Sequence, residues 1–137
     1  MELAFALLAE AAAVSPNGEV FVLGGGLDSL ASSSLPSTMP AMSLVVALRL
    51  TPEDCPKEHE LRVDIGDPKG KLFMPLGPFK FGPYMPPLNP EKNATHNCAL
   101  KYTNLQIEYH GVYSFLISVD GRKLGTVVVH SEAPNGG

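Results

Sequence analysis

The sequence has only two cysteines and no long apolar run, and each of these features excludes some classes of protein. Two cysteines, Cys55 and Cys98, are too few for a disulfide framework or for a zinc site made of four thiolates. We expect two reduced thiols, with a single bond between them as the open alternative. The apolar stretch 1–14 is too short to cross a bilayer as a helix, so no membrane association is predicted.

Positive charge is also scarce. Ten lysines and arginines stand against fourteen acidic residues, which gives a formal net charge of −4, and the basic residues are scattered. A surface that tracks phosphates needs clustered lysine and arginine, so no nucleic-acid partner is predicted. The stretch 1–14 lacks the positive flank of a signal peptide and contains Glu2 and Glu10, which makes the cytoplasm the expected location.

Signatures of catalysis and of metal or nucleotide binding are missing as well. The glycines at 24–26 are followed by Leu27-Asp28-Ser29, whereas a phosphate-binding loop needs Lys-Ser/Thr at the start of a helix. His96 and Cys98 make at most half a metal site, because two further ligands would have to come from elsewhere. No G-x-S-x-G elbow occurs. We therefore predict a protein that is not an enzyme and has no cofactor.

Glycine and proline, at thirteen each, instead separate short stretches of alternating apolar and polar residues. This pattern is typical of an all-β domain with many turns, and the length fits one domain over residues 1–137. Strands are predicted at 42–50, at 105–109, and in a hairpin of 61–65 with 71–74 around a type I turn at Asp67–Gly70. Residues 28–40 read as an irregular surface connection.

The strongest hairpin signal is Asp120-Gly121, which lies between two alternating stretches. A two-residue turn pairs Val119 with Arg122 and Ser118 with Lys123. Continued without a break, that register predicts three further pairs: Ile117 with Leu124, Phe115 with Thr126, and Tyr113 with Val128.

The N-terminal region is ambiguous between helix and strand. Residues 3–14 are good helix formers without glycine or proline. However, the turn signal Ser15-Pro16-Asn17-Gly18 follows them, and 20–23 is a plausible strand. We favour a hairpin.

Residues 75–90 contain six prolines and are predicted to be loop or sheet edge, because proline cannot donate to a strand ladder. Aromatic residues and methionine are enriched at protein interfaces, so we predict a binding surface here. Its candidate residues are Phe79, Phe81, Tyr84 and Met85. The alternative is a loop that covers an open end of the core.

Several of these segments resemble a family of short bacterial proteins classified as a domain of unknown function. The resemblance lies in residues 1–10, Ser15-Pro16-Asn17-Gly18 and 20–26, and in the C-terminal segments 104–106, 111–115 and 119–121. It implies a β-sandwich and an N-terminal strand rather than a helix. It implies no activity and no catalytic residues.

Together, these patterns predict an antiparallel β-sandwich, immunoglobulin-like or jelly-roll-like, with few or no helices. For function we predict a non-enzymatic interaction or self-assembly module that binds a protein partner or itself. A small-molecule-binding sandwich is the alternative. A hydrolase with a dispersed site is less favoured.

Overall fold

The computed structural model describes residues 1–134, which form an all-β structure without a helix in that range. The predicted domain extends to residue 137, and residues 135–137 lie outside the described part. The strands are β1 (Glu2–Val14), β2 (Val20–Gly25), β3 (Ser29–Ala31), β4 (Ser37–Thr38), β5 (Met42–Leu50), β6 (His59–Gly66), β7 (Leu72–Phe81), β8 (Ala94–Tyr102), β9 (Gln106–Ile107), β10 (Gly111–Val119) and β11 (Arg122–Glu132).

Two antiparallel sheets pack face to face and confirm the predicted β-sandwich. The first sheet has the order β2-β1-β5-β8, and the second has the order β3-β11-β10-β6-β7, in which β3 runs parallel to its neighbour. A small pair, β4-β9, lies apart from them. Every second residue of β5, namely Leu44, Val46 and Leu48, points into the apolar core between the sheets. Alternate residues of β10 meet them there from the other side.

The β10–β11 hairpin has the predicted turn but not the predicted register beyond it. Asp120 and Gly121 both have positive φ, and the pairs Val119–Arg122 and Ser118–Lys123 are confirmed. A bulge at Leu124 then shifts the ladder by one residue. The pairs predicted beyond it were therefore wrong. The observed pairs are Ile117 with Gly125, Phe115 with Val127, and Tyr113 with Val129.

The shift places Gly125 beneath a side chain of the neighbouring sheet. A Cβ atom at position 125 would lie 2.5 Å from the Leu3 side chain of β1, so a larger residue there would require that side chain to move. The bulge brings Gly125 to this position. As a consequence Val129 is buried in the core, whereas Val128 is 43% exposed.

The β6–β7 hairpin turns at Asp67–Gly70 as predicted, with the Gly70 N–H donating to the Asp67 carbonyl. The return strand is longer than predicted and continues to Phe81. Residues 75–81 therefore form a sheet edge, and the irregular segment begins at residue 82. Prolines are tolerated in β7 because, within the described chain, it pairs with β6 alone.

The N-terminal hairpin is confirmed, since β1 pairs with both β2 and β5. The strand predicted at 105–109 is reduced to Gln106–Ile107. The Tyr113 hydroxyl accepts from the Tyr109 N–H and donates to the Tyr109 carbonyl, which takes both backbone groups away from a strand ladder. The connection predicted at 28–40 contains the short strands β3 and β4.

Within residues 1–134 there is no helix with the length and hydrophobicity needed to cross a bilayer.

Candidate functional site

Two of the predicted binding residues, Phe81 and Tyr84, both contact His96. The Phe81 ring stacks on the His96 ring with 4.4 Å between centroids, and Phe81 itself is buried. Burial lowers the pKa of His96, and its Nδ1 shares a hydrogen bond with the Tyr84 hydroxyl. Phe81 is therefore packed against the fold rather than exposed on the surface of the segment.

The other two predicted residues are exposed. Phe79 lies on β7 and is 40% exposed, and Met85 lies in the irregular segment after β7 and is 89% exposed. Residues 75–90, which were predicted as one binding surface, thus contain a buried aromatic ring, Phe81, and separate exposed side chains. A binding role for Phe79, Phe81, Tyr84 and Met85 stays a prediction.

A buried histidine lies at the start of β6. His59 Nδ1 lies 2.7 Å from the Asp120 carboxylate, and Nε2 lies 2.8 Å from the Asp54 carbonyl oxygen. Both partners are acceptors, so the geometry suits a ring that carries a proton on both nitrogens, which is the imidazolium form. Burial lowers the pKa of His59, but the hydrogen bonds to Asp120 and Asp54 outweigh it and raise the pKa.

The same bonds hold the β10–β11 turn to β6. The second Asp120 carboxylate oxygen accepts from the Glu60 N–H, and the Asp120 N–H donates to the Glu60 carbonyl. Burial raises the pKa of Asp120, but the hydrogen bonds from His59 and Glu60 lower it overall. Since no ring nitrogen of His59 is left to face a substrate, this geometry is that of a structural clamp rather than of a general base.

The cysteines are also unsuited to nucleophilic chemistry. Both are free thiols. Burial raises the pKa of Cys98 to about 11, which leaves almost no thiolate at neutral pH. Among residues 1–134 no three His, Cys, Asp or Glu side chains come together in a way that could hold a metal ion, so the half-site of His96 and Cys98 has no completing ligands there.

A small cleft lies beside the β6–β7 turn. It has a volume of about 160 Å³ and is lined by Asp67, Lys71, Phe73, Gln106, Glu108 and Tyr113. Pockets for small organic ligands typically measure roughly 300–1,000 Å³. The cleft is therefore small for such a ligand.

The feature that sequence reasoning missed is the outer half of the β1–β2 hairpin, residues 11–23, which we call the hairpin arm. It folds over the outer face of the first sheet, where Val45 and Ala47 are buried although they lie outside the core between the sheets. The Asn97 side-chain amide of β8 donates to the Gly18 carbonyl at the tip of the arm, at 2.9 Å. The arm is thus fixed to the sheet at its tip.

One face of the hairpin arm is apolar and open to solvent. The cross-strand pairs Ala11–Leu23 and Ala13–Phe21 share this face, and Phe21 and Leu23 are 59% and 70% exposed. On the opposite face Ala12, Val14 and Val20 are half-buried, and Val22 is 42% exposed. A signal for this surface exists in the sequence, since 20–23 is an apolar stretch beside a turn, but its exposure depends on where the arm folds.

The edge of the hairpin arm is open as well. In the described part of the chain, β2 pairs only with β1. Its residues Val20–Gly25 include no proline and no charged side chain. The N–H and C=O groups on its outer side are therefore available to another strand.

Comparison with known proteins identifies a family but not an activity. No curated protein matches the chain significantly. Among solved structures, the fold is similar to part of the Pseudomonas fluorescens alkylpurine DNA glycosylase AlkC bound to DNA containing an abasic site analog, with a TM-score of 0.51 and 15% identity. That match covers 93% of this chain and 30% of the glycosylase chain, and at this identity it shows the fold alone. A family model, described as a family of unknown function (DUF6941), matches residues 4–130. The chain therefore belongs to this family, DUF6941.

Proposed function

We propose that the chain is a non-enzymatic protein-interaction module and that the hairpin arm is its contact surface. The observation that carries the proposal is the combination of an unpaired strand edge and an exposed apolar face on the same arm, within the described residues. An unpaired edge binds another strand through main-chain hydrogen bonds, and apolar side chains beside it add area and specificity.

The charge of this region supports a protein as the partner. No lysine or arginine precedes Arg49, so the hairpin arm carries no cationic side chain to attract phosphates. The exposed aromatic and aliphatic side chains, Phe21 and Leu23, add apolar area of the kind found in the buried centre of protein interfaces. A strand edge flanked by such residues suits a partner that supplies a strand.

Affinity capture with point variants tests the proposal. Val22→Lys places a charge at the open edge, and Met85→Lys places the same charge on the exposed segment after β7. We expect a partner captured by the unchanged chain to be lost with Val22→Lys and retained with Met85→Lys. Both variants should keep the circular dichroism spectrum and unfolding midpoint of the parent.

The reverse pattern, with loss only for Met85→Lys, would move the contact surface to the predicted aromatic segment. A chain that captures nothing and stays monomeric at every concentration would contradict an interaction role altogether.

A further inference from the structure

We propose that the hairpin arm pairs with a second copy of this chain, through antiparallel pairing of β2 with β2 about a two-fold axis. The inference rests on the proposed function and names the partner. It would join two four-stranded sheets into one continuous sheet across the interface.

The hydrogen-bond pattern of the hairpin shows which groups face outward. The Ser15 N–H donates to the Glu19 carbonyl, and the register then pairs Ala13 with Phe21. In an antiparallel ladder, hydrogen-bonded pairs recur at every second residue. The backbone groups of Phe21 and Leu23 therefore face β1, whereas those of Val20 and Val22 face the open edge.

These outward groups match those of a second copy turned by 180°. With Phe21 opposite Phe21 of the second copy, Val20 of each chain faces Val22 of the other, and each of these pairs can exchange two hydrogen bonds. Moving the axis to Val22 would pair Val20 with Gly24, whose positive φ takes it out of the extended conformation. The first register uses only extended residues.

Side chains also favour this register. At the axis the two Phe21 rings meet across a pair without hydrogen bonds, where strands bring side chains closest together, and aromatic cross-strand pairs stabilise a ladder. Since β2 contains no charged residue, two copies bring no like charges together within the strand pair. The interface is built on one short strand, so we expect a weak dimer that forms as concentration rises.

Sedimentation over a wide concentration range measures the association. We expect the mass of the unchanged chain and of Met85→Lys to rise from monomer to dimer, and Val22→Lys to stay monomeric over the same range. Dimerisation of Val22→Lys equal to that of the unchanged chain would overturn the pairing through β2.

Variants that each introduce one cysteine test the register, in a chain with Cys98→Ala because Cys98 is a partly exposed free thiol. Phe21→Cys places the two thiols directly opposite each other, at a Cα separation that a disulfide can bridge, roughly 4.4–6.8 Å. Leu23→Cys lies on the same face and is more exposed in the parent, but the register separates its two copies by several residues. With oxidised glutathione as oxidant, we expect a cross-linked dimer for Phe21→Cys and little for Leu23→Cys.

Cross-linking that is equal at both positions would indicate random collision and would overturn the register. A strict monomer that still loses a captured partner with Val22→Lys would refute self-pairing and keep the proposed function. A strict monomer that captures nothing would refute both.

Discussion

β2 and β7 are two of the four edge strands of the large sheets. They belong to opposite sheets and differ in how they meet solvent. β7 contains Pro75 and Pro78, carries Lys80, and breaks register twice against β6. β2 has none of these features. Prolines, lysines and bulges are the means by which natural sheets prevent edge-to-edge pairing. Of these two edges, therefore, β2 is open to another strand and β7 is protected.

The aromatic residues of the two strands also differ in their exposure to solvent. Phe81 at the end of β7 is buried between the rings of His59 and His96, with centroid distances of 5.4 and 4.4 Å. Phe21 on β2 is 59% exposed. An aromatic ring is thus packed into the fold at one edge and exposed to solvent at the other.

The largest expected effect comes from replacing Phe81 with alanine, and Phe21→Ala is the comparison. Phe81→Ala should lower the free energy of unfolding by about 3–4 kcal/mol, because it leaves a cavity beside both histidines. Phe21→Ala should change it by less than about 0.5 kcal/mol. Urea unfolding at low protein concentration measures both, and equal losses would contradict the contrast between the two edges.

The hydrogen bonds of His59 make the stability of the second sheet, which contains β6 and β7, depend on pH. The hairpin arm contains no histidine. His59 has a raised pKa, so its contribution is fully present below the pKa of the unfolded chain and is lost as pH rises through the folded pKa. We expect His59→Gln to cost about 2 kcal/mol at pH 6 and to flatten the decline in stability above neutral pH.

Thermal unfolding between pH 6 and 9 checks this, and sedimentation over the same range is its control. The hairpin arm has no histidine or lysine, so self-association should not change with the titration of His59. A parent whose stability rises steadily above pH 7 would show that His59 is not held as an imidazolium.

A smaller effect is expected from releasing the tip of the hairpin arm. Asn97→Ala removes the hydrogen bond to the Gly18 carbonyl and should cost about 1 kcal/mol. Hydrogen exchange should quicken in residues 11–23 and stay unchanged in β7. Asn93→Ala, in the exposed segment before β8, is the matched control, and equal exchange in both variants would exclude the tether.

The smallest effect concerns the charge on β7. Lys80 lies 3.7 Å from Glu58, and both side chains are more than half exposed, so Lys80→Ala should change stability by less than about 0.5 kcal/mol. The oligomeric state should also stay the same, because Pro75 and Pro78 still protect the edge. New association of Lys80→Ala would show that the lysine alone kept β7 closed.

Local patterns were sufficient to predict much of the sandwich. The alternation in β5 and β10 and the turn residues Asp120 and Gly121 each act through neighbours in the chain, and all appear in the structure as predicted. The predicted hairpin register was wrong beyond Lys123 because a bulge at Leu124 shifts the ladder and brings Gly125 beneath Leu3, which is far away in sequence. Sequence spacing does not reveal that contact.

The candidate site was less predictable for the same reason. Proline and aromatic content drew attention to residues 75–90, yet whether Phe81 or Phe21 reaches solvent depends on which sheet face each strand covers. The sequence by itself determined β1, β5, β6 and β10, the turns after β1, β6 and β10, and the apolar character of β2, whereas β8 was not predicted. Only tertiary structure decided that the hairpin arm folds over the outer face of the first sheet and leaves its edge unpaired, because burial is a property of packed neighbours rather than of the residue.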